Sequence, residues 1–330
     1  MCHAIVERIA RRNFERVKGA VGHVLGGVPA HEDGGVGSAA RSGLGDQNLA
    51  AVPAVQRCLT TRWRPWSSGR DKELDVPVRR RALVTGASGG IGAEFARQLV
   101  GDHDLLLVSR SREKLEAVAS ALAGSGRDVV VLPADLSTAD GVSAVIKHVS
   151  DAGLTFDLLV NNAGSGKHSR FLDTSESDLV EQVELDITAV VRLTRAVLPS
   201  MVAAGRGGVI NLASTSAFQP TPGLAAYAAS KAFVLSLSEA LAVETRGTGV
   251  TITAVAPGTV STNFFANAGA TFEVGGMLTA ERVVREALRG YSKGASLVVP
   301  GLQNRLGTLG PRLLPRRAIA RGAEWVARAR

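Results

Sequence analysis

From Ala82 onward, short apolar runs alternate with longer segments in which apolar residues return every three or four positions. The runs are Ala82 to Thr85, Leu105 to Ser109, Val129 to Leu132, Leu158 to Asn161, Val209 to Ala213, Thr251 to Ala256 and Leu297 to Val299. Their lack of polar alternation predicts strands buried on both faces. Between them the spacing predicts helices over 91–100, 112–123, 139–151, 175–203, 226–245 and 279–289. Strands alternating with helices close by right-handed crossovers into a parallel sheet covered on both faces. The expected fold is therefore α/β, a doubly wound (Rossmann) sheet forming one domain over about 80–300.

Residues 19–70 follow neither period and mix Gly, Ala, Arg, Ser and Pro, so 1–79 reads as a low-complexity, disordered extension. Within it, residues 4–25 have the spacing of a short basic helix through Ile5, Ile9, Val17, Val21 and Val24. Residues 301–330 read as a basic tail. Its stretch from Leu313 to Arg330, with Ile319, Ala323 and Val326 at helical spacing and several arginines, suits a solvated tail, a cap on the domain or an anionic membrane surface.

Charge sharpens this division. The net charge of +8 comes from an excess of 5 basic residues over 1–80 and of 6 over 300–330, while 81–299 is acidic by 3. A basic nucleic-acid groove across the main domain is thus not expected. Cys2 and Cys58 have no His or Cys cluster beside them, which excludes a zinc site and a disulfide framework and fits a reducing cytosol. Glu7, Arg8, Arg11 and Arg12 stand where a secretion signal needs apolar residues, and Arg192 and Arg195 interrupt the most apolar helical stretch. A cytoplasmic protein without a spanning helix is expected.

The first strand runs into Thr85-Gly86-Ala87-Ser88-Gly89-Gly90-Ile91-Gly92 at the start of a helix. Such a turn offers free backbone N–H groups and the positive helix end to a pyrophosphate. Gly86, Ser88 and Gly90 also read as the nucleophile elbow of an α/β-hydrolase, but that order needs a late His and the last one is His168. At the end of the second strand, where an NAD enzyme of this fold carries an acid, stand Ser109 and Arg110. A cation without acidic repulsion favours a 2′-phosphate, hence NADP(H) over NAD(H). Tyr227 and Lys231 lie one helical turn apart on a helix that follows the strand delivering Ser214. Bringing a phenol from about 10 towards 7 takes about 4 kcal/mol, to which a nearby cation contributes.

These residues resemble the short-chain dehydrogenases/reductases in their compact single-domain subtype, strongly over 80–260 and more loosely over 260–300. The resemblance rests on the Gly-rich turn, Asp135, Asn161-Asn162-Ala163-Gly164, Ser214, Tyr227-x-x-x-Lys231 and Pro257-Gly258-x-x-x-Thr262. It implies that Tyr227 protonates a carbonyl oxygen as hydride arrives from the nicotinamide, and acts as base in reverse. It implies that Lys231 binds the nicotinamide ribose and lowers the Tyr227 pKa, while Ser214 holds the substrate oxygen. Asp135 would face the adenine, Asn161, Ala163 and Gly164 would line the cofactor, and Pro257, Gly258 and Thr262 would hold the nicotinamide end. The chain departs from the family at Asp186, which aligns with a catalytic Asn that supports a proton-relaying water.

The segment 259–280 falls where the family varies its substrate loop, and Phe264, Phe265, Phe272, Met277 and Leu278 there suit an apolar carbonyl or alcohol as well as packing of the loop on the body. The resemblance further implies a homodimer or homotetramer built through the long central helix. Three functions stay in view: an NADP(H)-dependent oxidoreductase, a non-catalytic NADP(H)-binding sensor, and a hydrolase using Ser88.

Overall fold

The computed structural model describes residues 79–151, 153–262, 277–313, 317, 319 and 320. The expected extension before residue 79, the helix over 4–25, Phe264, Phe265 and Phe272, and most of the stretch from Leu313 to Arg330 lie outside the described residues.

The sheet has seven parallel strands: β1 (Arg80–Thr85), β2 (His103–Ser109), β3 (Val129–Pro133), β4 (Leu158–Asn161), β5 (Gly207–Leu212), β6 (Val250–Val255) and β7 (Leu297–Val298). Their order, β3-β2-β1-β4-β5-β6-β7, steps outward in one direction from β1 and then returns to build from β4 in the other. The chain therefore parts between β1 and β4, and the crevice at the carboxyl ends of those strands is where such sheets take ligands.

The apolar runs read as strands because both faces are covered. Ala82 and Val84 of β1 enter the core with Phe95, Leu99, Leu115, Val283 and Val284, whereas Leu83 points the other way, to Val142, Val145, Leu193, Val197 and Met201. The first layer comprises α1 (Gly90–Leu99), α2 (Arg112–Ala121) and α7 (Ala280–Ser292). The second comprises α3 (Ala139–Asp151), α5 (Ala189–Ala204) and α6 (Ala225–Glu244). Side-chain oxygens mark three helix starts: Ser111, Ser175 and Thr279 accept hydrogen bonds from the backbone of Lys114, Asp178 and Arg282.

Three expectations need amendment. The helix expected over 175–203 is present over Glu176–Ala204 but is not α-helical throughout: α4 (Glu176–Val183) passes through a π-helical turn, Glu184–Thr188, into α5. Glu176–Ala204 and Ala225–Glu244 do reach the length and apolarity of a membrane span. Arg192 and Arg195 do not lower the apolarity of the first stretch enough to prevent this, and Arg192 bonds the Ala139 carbonyl and the Ser143 hydroxyl. Both helices bury apolar residues on the sheet, including Leu193, Val197 and Val234. The body also continues past residue 300 into α8 (Leu302–Gly307) and α9 (Gly310–Leu313). There Asn304 bonds the Pro300 carbonyl, and Arg305 bonds the Val299 carbonyl and pairs with Glu286.

Candidate active site

The turn after β1 is built so that backbone, not side chain, faces the crevice. Gly86 and Gly90 adopt φ of 65° and 54°, a region that glycine enters without strain. A Cβ on Gly92 would stand 2.3 Å from the Gly86 carbonyl oxygen, so this glycine serves the close packing of α1 on the turn. It does not line the cavity, contrary to its expected place among the cofactor contacts. Helix α1 starts without a side-chain cap, which leaves its first N–H groups to a ligand.

From β4, Asn162 clamps this turn. Its Nδ2 donates to the Thr85 and Gly86 carbonyls at 2.9 and 3.2 Å, and the Asn162 and Ala163 amides both donate to Thr85 Oγ1 at 3.0 Å. Asn161, expected to line the cofactor, turns away. Its amide is buried, donating to Thr194 Oγ1 and Asn211 Oδ1 at 3.0 and 2.8 Å. Strand parity accounts for the exchange, since successive residues point to opposite sides.

The crevice opens into a cavity of about 730 Å³. On the β1–β2–β3 side its walls include Gly86, Ser88, Gly90, Ile91, Ser109, Arg110 and Asp135. Ser109 Oγ is buried without a hydrogen-bond partner among the described residues. Arg110 reaches Glu181 at 3.4 Å, an exposed and easily exchanged pair. Asp135 accepts hydrogen bonds from the Ser137 amide and hydroxyl at 3.0 and 2.7 Å. Lys114 shares this wall.

On the β4–β5–β6 side stand Ala163, Gly164, Ser214, Tyr227, Lys231, Pro257, Gly258 and Thr262. Ser214 begins the 3-10 turn Thr215–Phe218 and accepts from the Ser216 amide at 3.2 Å. Tyr227 hydrogen-bonds to Ser214, and Lys231 Nζ lies 5.6 Å from the centre of the Tyr227 ring. The ammonium is buried and donates to the Leu212 carbonyl at 3.2 Å. His168, Gln219 and Thr221 complete this end. Sequence reasoning passed over them, and the one sign was that His168 follows β4 at the sheet's carboxyl edge.

Asp186 sits in the π turn with no exposed surface. Its Oδ1 accepts the Ser165 amide at 3.0 Å and lies 3.6 Å from Lys231 Nζ, while Oδ2 has no partner among the described residues. Burial pushes its pKa above the usual carboxylate range, against the pull of the Lys231 ammonium. Burial also raises Tyr227 above its ordinary 10; Lys231 opposes that rise and Asp186 adds to it. The expected lowering of the phenol by Lys231 is therefore present as a tendency but outweighed in this structure.

A dinucleotide fits these residues: glycines that a Cβ would fill, uncapped helix amides and an orphaned Ser109 hydroxyl lie along one crevice. Fold and site together define a nicotinamide-nucleotide-binding oxidoreductase. The family model described as short chain dehydrogenase matches residues 80–272, and the chain belongs to that family. Nodulation protein G of Rhizobium sp. (strain N33) is 39% identical over 180 residues, covering 54% of this chain and 72% of that protein. A short-chain dehydrogenase from Sphingobium yanoikuyae in complex with NADPH is 33% identical, with a TM-score of 0.65 over 70% of this chain and 92% of that one. The bulky-bulky ketone specific alcohol dehydrogenase from Comamonas testosteroni is 28% identical, with a TM-score of 0.61 over 72% of this chain and 99% of that one. Family membership sets aside the hydrolase reading of Ser88.

Proposed function

We propose that the protein is an NADP(H)-dependent oxidoreductase that interconverts a carbonyl and an alcohol on a bulky, mainly apolar small molecule. Tyr227 is the general acid in reduction and the general base in oxidation. The observation that carries this reading is the convergence of Ser214, Tyr227 and Lys231 at one end of a cavity that begins at the Gly-rich turn.

When bound, the nicotinamide nucleotide supplies or accepts the hydride. The amides of the turn from Gly86 to Ile91 hold its pyrophosphate, Asp135 borders the adenine, and Ala163, Gly164, Pro257, Gly258 and Thr262 border the nicotinamide half. Ser109, Arg110 and Lys114 hold the 2′-phosphate, a role supported by the buried Ser109 hydroxyl, the two cations and the NADPH of the Sphingobium relative. Ser214 donates to the substrate oxygen. A phenol held above its ordinary pKa keeps its proton at neutral pH, the form that can hand it to that oxygen. Lys231 binds the ribose hydroxyls and steadies the phenolate, and Asp186 positions Lys231 through the 3.6 Å contact.

An apolar substrate is supported by Leu185, Leu224 and Val260 on the cavity wall and by the ketone specificity of the Comamonas relative. Assembly as a homodimer or homotetramer in the cytoplasm belongs to the same reading. The exposed Val180, Val183, Val191 and Val202 on the long helix support it.

The test is a panel of bulky ketones and secondary alcohols, followed by absorbance of the reduced nicotinamide with each cofactor. Turnover with NADPH well above that with NADH is expected, and Ser109→Asp with Arg110→Ala should reverse the preference. Equal use of NADH by the wild type would overturn the cofactor assignment. Tight NADPH binding with no turnover on any compound would favour the sensor reading, for which the replacement at Asp186 is the one observation.

A further inference from the structure

We infer that His168, with Gln219 and Thr221, forms a second recognition point in the cavity, taking a neutral oxygen of the substrate, a hydroxyl or a further carbonyl, remote from the carbon that reacts. This deepens the proposed carbonyl chemistry and rests on it. The three side chains line the end of the cavity that holds Tyr227, where Leu185 and Leu224 supply apolar wall. Two loops bring them there, and each is fixed. In the first, the Ser165 amide donates to Asp186 Oδ1 at 3.0 Å and the Ser165 carbonyl accepts from Gln182 Nε2 at 3.2 Å. Beyond His168, the Ser169 amide donates to the Gly223 carbonyl at 2.9 Å, so the loop is tied on both sides of the imidazole. The second loop carries Gln219 and Thr221 into a turn in which the Leu224 amide donates to the Thr221 carbonyl at 3.0 Å. Pro222 presets the first central position of that turn, and Gly223, with φ of 80°, takes the left-handed second one. A Cβ on Gly223 would stand 3.3 Å from His168 Nε2, so the imidazole rests against the turn.

The chemistry of these groups selects the ligand. A neutral imidazole offers one donor and one acceptor nitrogen, a glutamine amide offers both kinds of group, and a threonine hydroxyl gives and takes a hydrogen bond. Together they suit a hydroxyl or a carbonyl oxygen. A carboxylate finds less. Lys167, next to His168, pairs with Asp178 and does not line this cavity, and Arg170 pairs with Asp173 at 3.8 Å. Lys231 is committed to the Leu212 carbonyl and lies beside Asp186. A charged amine fares no better, because among the described lining residues the one carboxylate is Asp135, on the opposite side. An ionic group at this end would therefore lose its hydration without gaining a counter-ion. His168 is exposed, so its hydrogen bond replaces one to water. The expected gain from a well-placed oxygen is accordingly about tenfold, far short of the 10⁴ or more reached where the recognising groups are fully buried.

Matched ketones test this on the full chain: a fused-ring ketone, and analogues that carry a hydroxyl, a second carbonyl or a carboxylate at ring positions away from the reacting carbon. Two quantities are read, kcat/KM with NADPH and the affinity of each ketone for the NADP⁺-loaded protein by calorimetry, a complex that cannot turn over. At least one hydroxyl or second-carbonyl analogue should exceed its parent about tenfold in both, and the carboxylate analogues should not. His168→Leu should bring that ratio to about one, whereas His168→Gln, which keeps a donor and an acceptor, should retain part of it. An NADPH titration of each variant checks that the fold and the cofactor site are intact. No preference of the wild type for any oxygenated analogue, a preference for the carboxylate, or a ratio unchanged by His168→Leu would overturn the inference. Binding without turnover would overturn the proposed function alone, since the affinity ratio still decides the role of His168. Absence of binding by every ketone would overturn both.

Discussion

At the scale of single residues, the proposed reaction turns on the phenol at Tyr227 and the carboxyl at Asp186. Tyr227→Phe removes the hydroxyl and leaves the ring, so NADPH binding should persist while turnover falls by about 10² to 10⁴, the usual worth of a positioned acid. Stopped-flow or steady-state turnover beside a fluorescence titration of NADPH checks both halves. Reduction needs the protonated phenol, so its rate should hold through neutral pH and fall as pH rises through the Tyr227 pKa, which burial and Asp186 set above 10. Oxidation needs the phenolate and should rise over the same range. Asp186→Asn deletes the negative charge that raises the phenol, so both limbs should move to lower pH. A fall of one pH unit in that midpoint raises the phenolate fraction below it about tenfold. Profiles of kcat/KM in both directions read this, and an unmoved midpoint would show that Asp186 does not act through Tyr227. Ser214, Tyr227 and Lys231 were legible because their spacings survive translation into structure. The burial of Asp186 was not, since it depends on a π turn that periodicity does not register, and neither was the choice between Asn161 and Asn162, which hangs on where β4 ends.

Elements were the most readable level. Runs that are apolar at every position belong to strands covered on both faces, and the boundaries of α1 and α3 fall where the 3.6-residue period stops. What the pattern could not supply is how β1 and β4 are joined at the crevice, because the joint is made by hydrogen bonds across about 77 residues of chain. Asn162 is that joint. Asn162→Ala leaves the Thr85 and Gly86 carbonyls without their side-chain donor and should cost about 1–3 kcal/mol by urea unfolding. The Gly-rich turn should loosen with it, weakening NADPH binding, whereas a surface change on α2 such as Glu116→Ala should leave both unchanged. A second joint ties residues 259–261 to Leu278. Val260 and Leu278 form a bridge, with Ser261 donating to the Leu278 carbonyl at 2.9 Å and Leu278 to the Thr259 carbonyl at 3.1 Å.

For the molecule as a whole, the change in sequence texture and the family match both point to a start near residue 80. The shift from aperiodic to periodic sequence near residue 80, the family match from residue 80 and the first strand at Arg80 coincide. The described contacts of β1 are to β2 and β4, with the Arg81 amide donating to Asp157 Oδ2 at 3.0 Å and Arg79 pairing with Asp104 and Asp128. A truncated chain starting near Asp75 keeps every one of these groups. It should therefore express as folded protein, unfold in a single cooperative transition and bind NADPH within about twofold of the full chain, since no cavity-lining residue precedes Gly86 among the described residues. Circular dichroism with thermal unfolding and an NADPH titration of both lengths decide it. Loss of folded protein, or a tenfold loss of binding, would mean that residues before Asp75 complete the body, and the boundary drawn from periodicity would have to move toward the N-terminus.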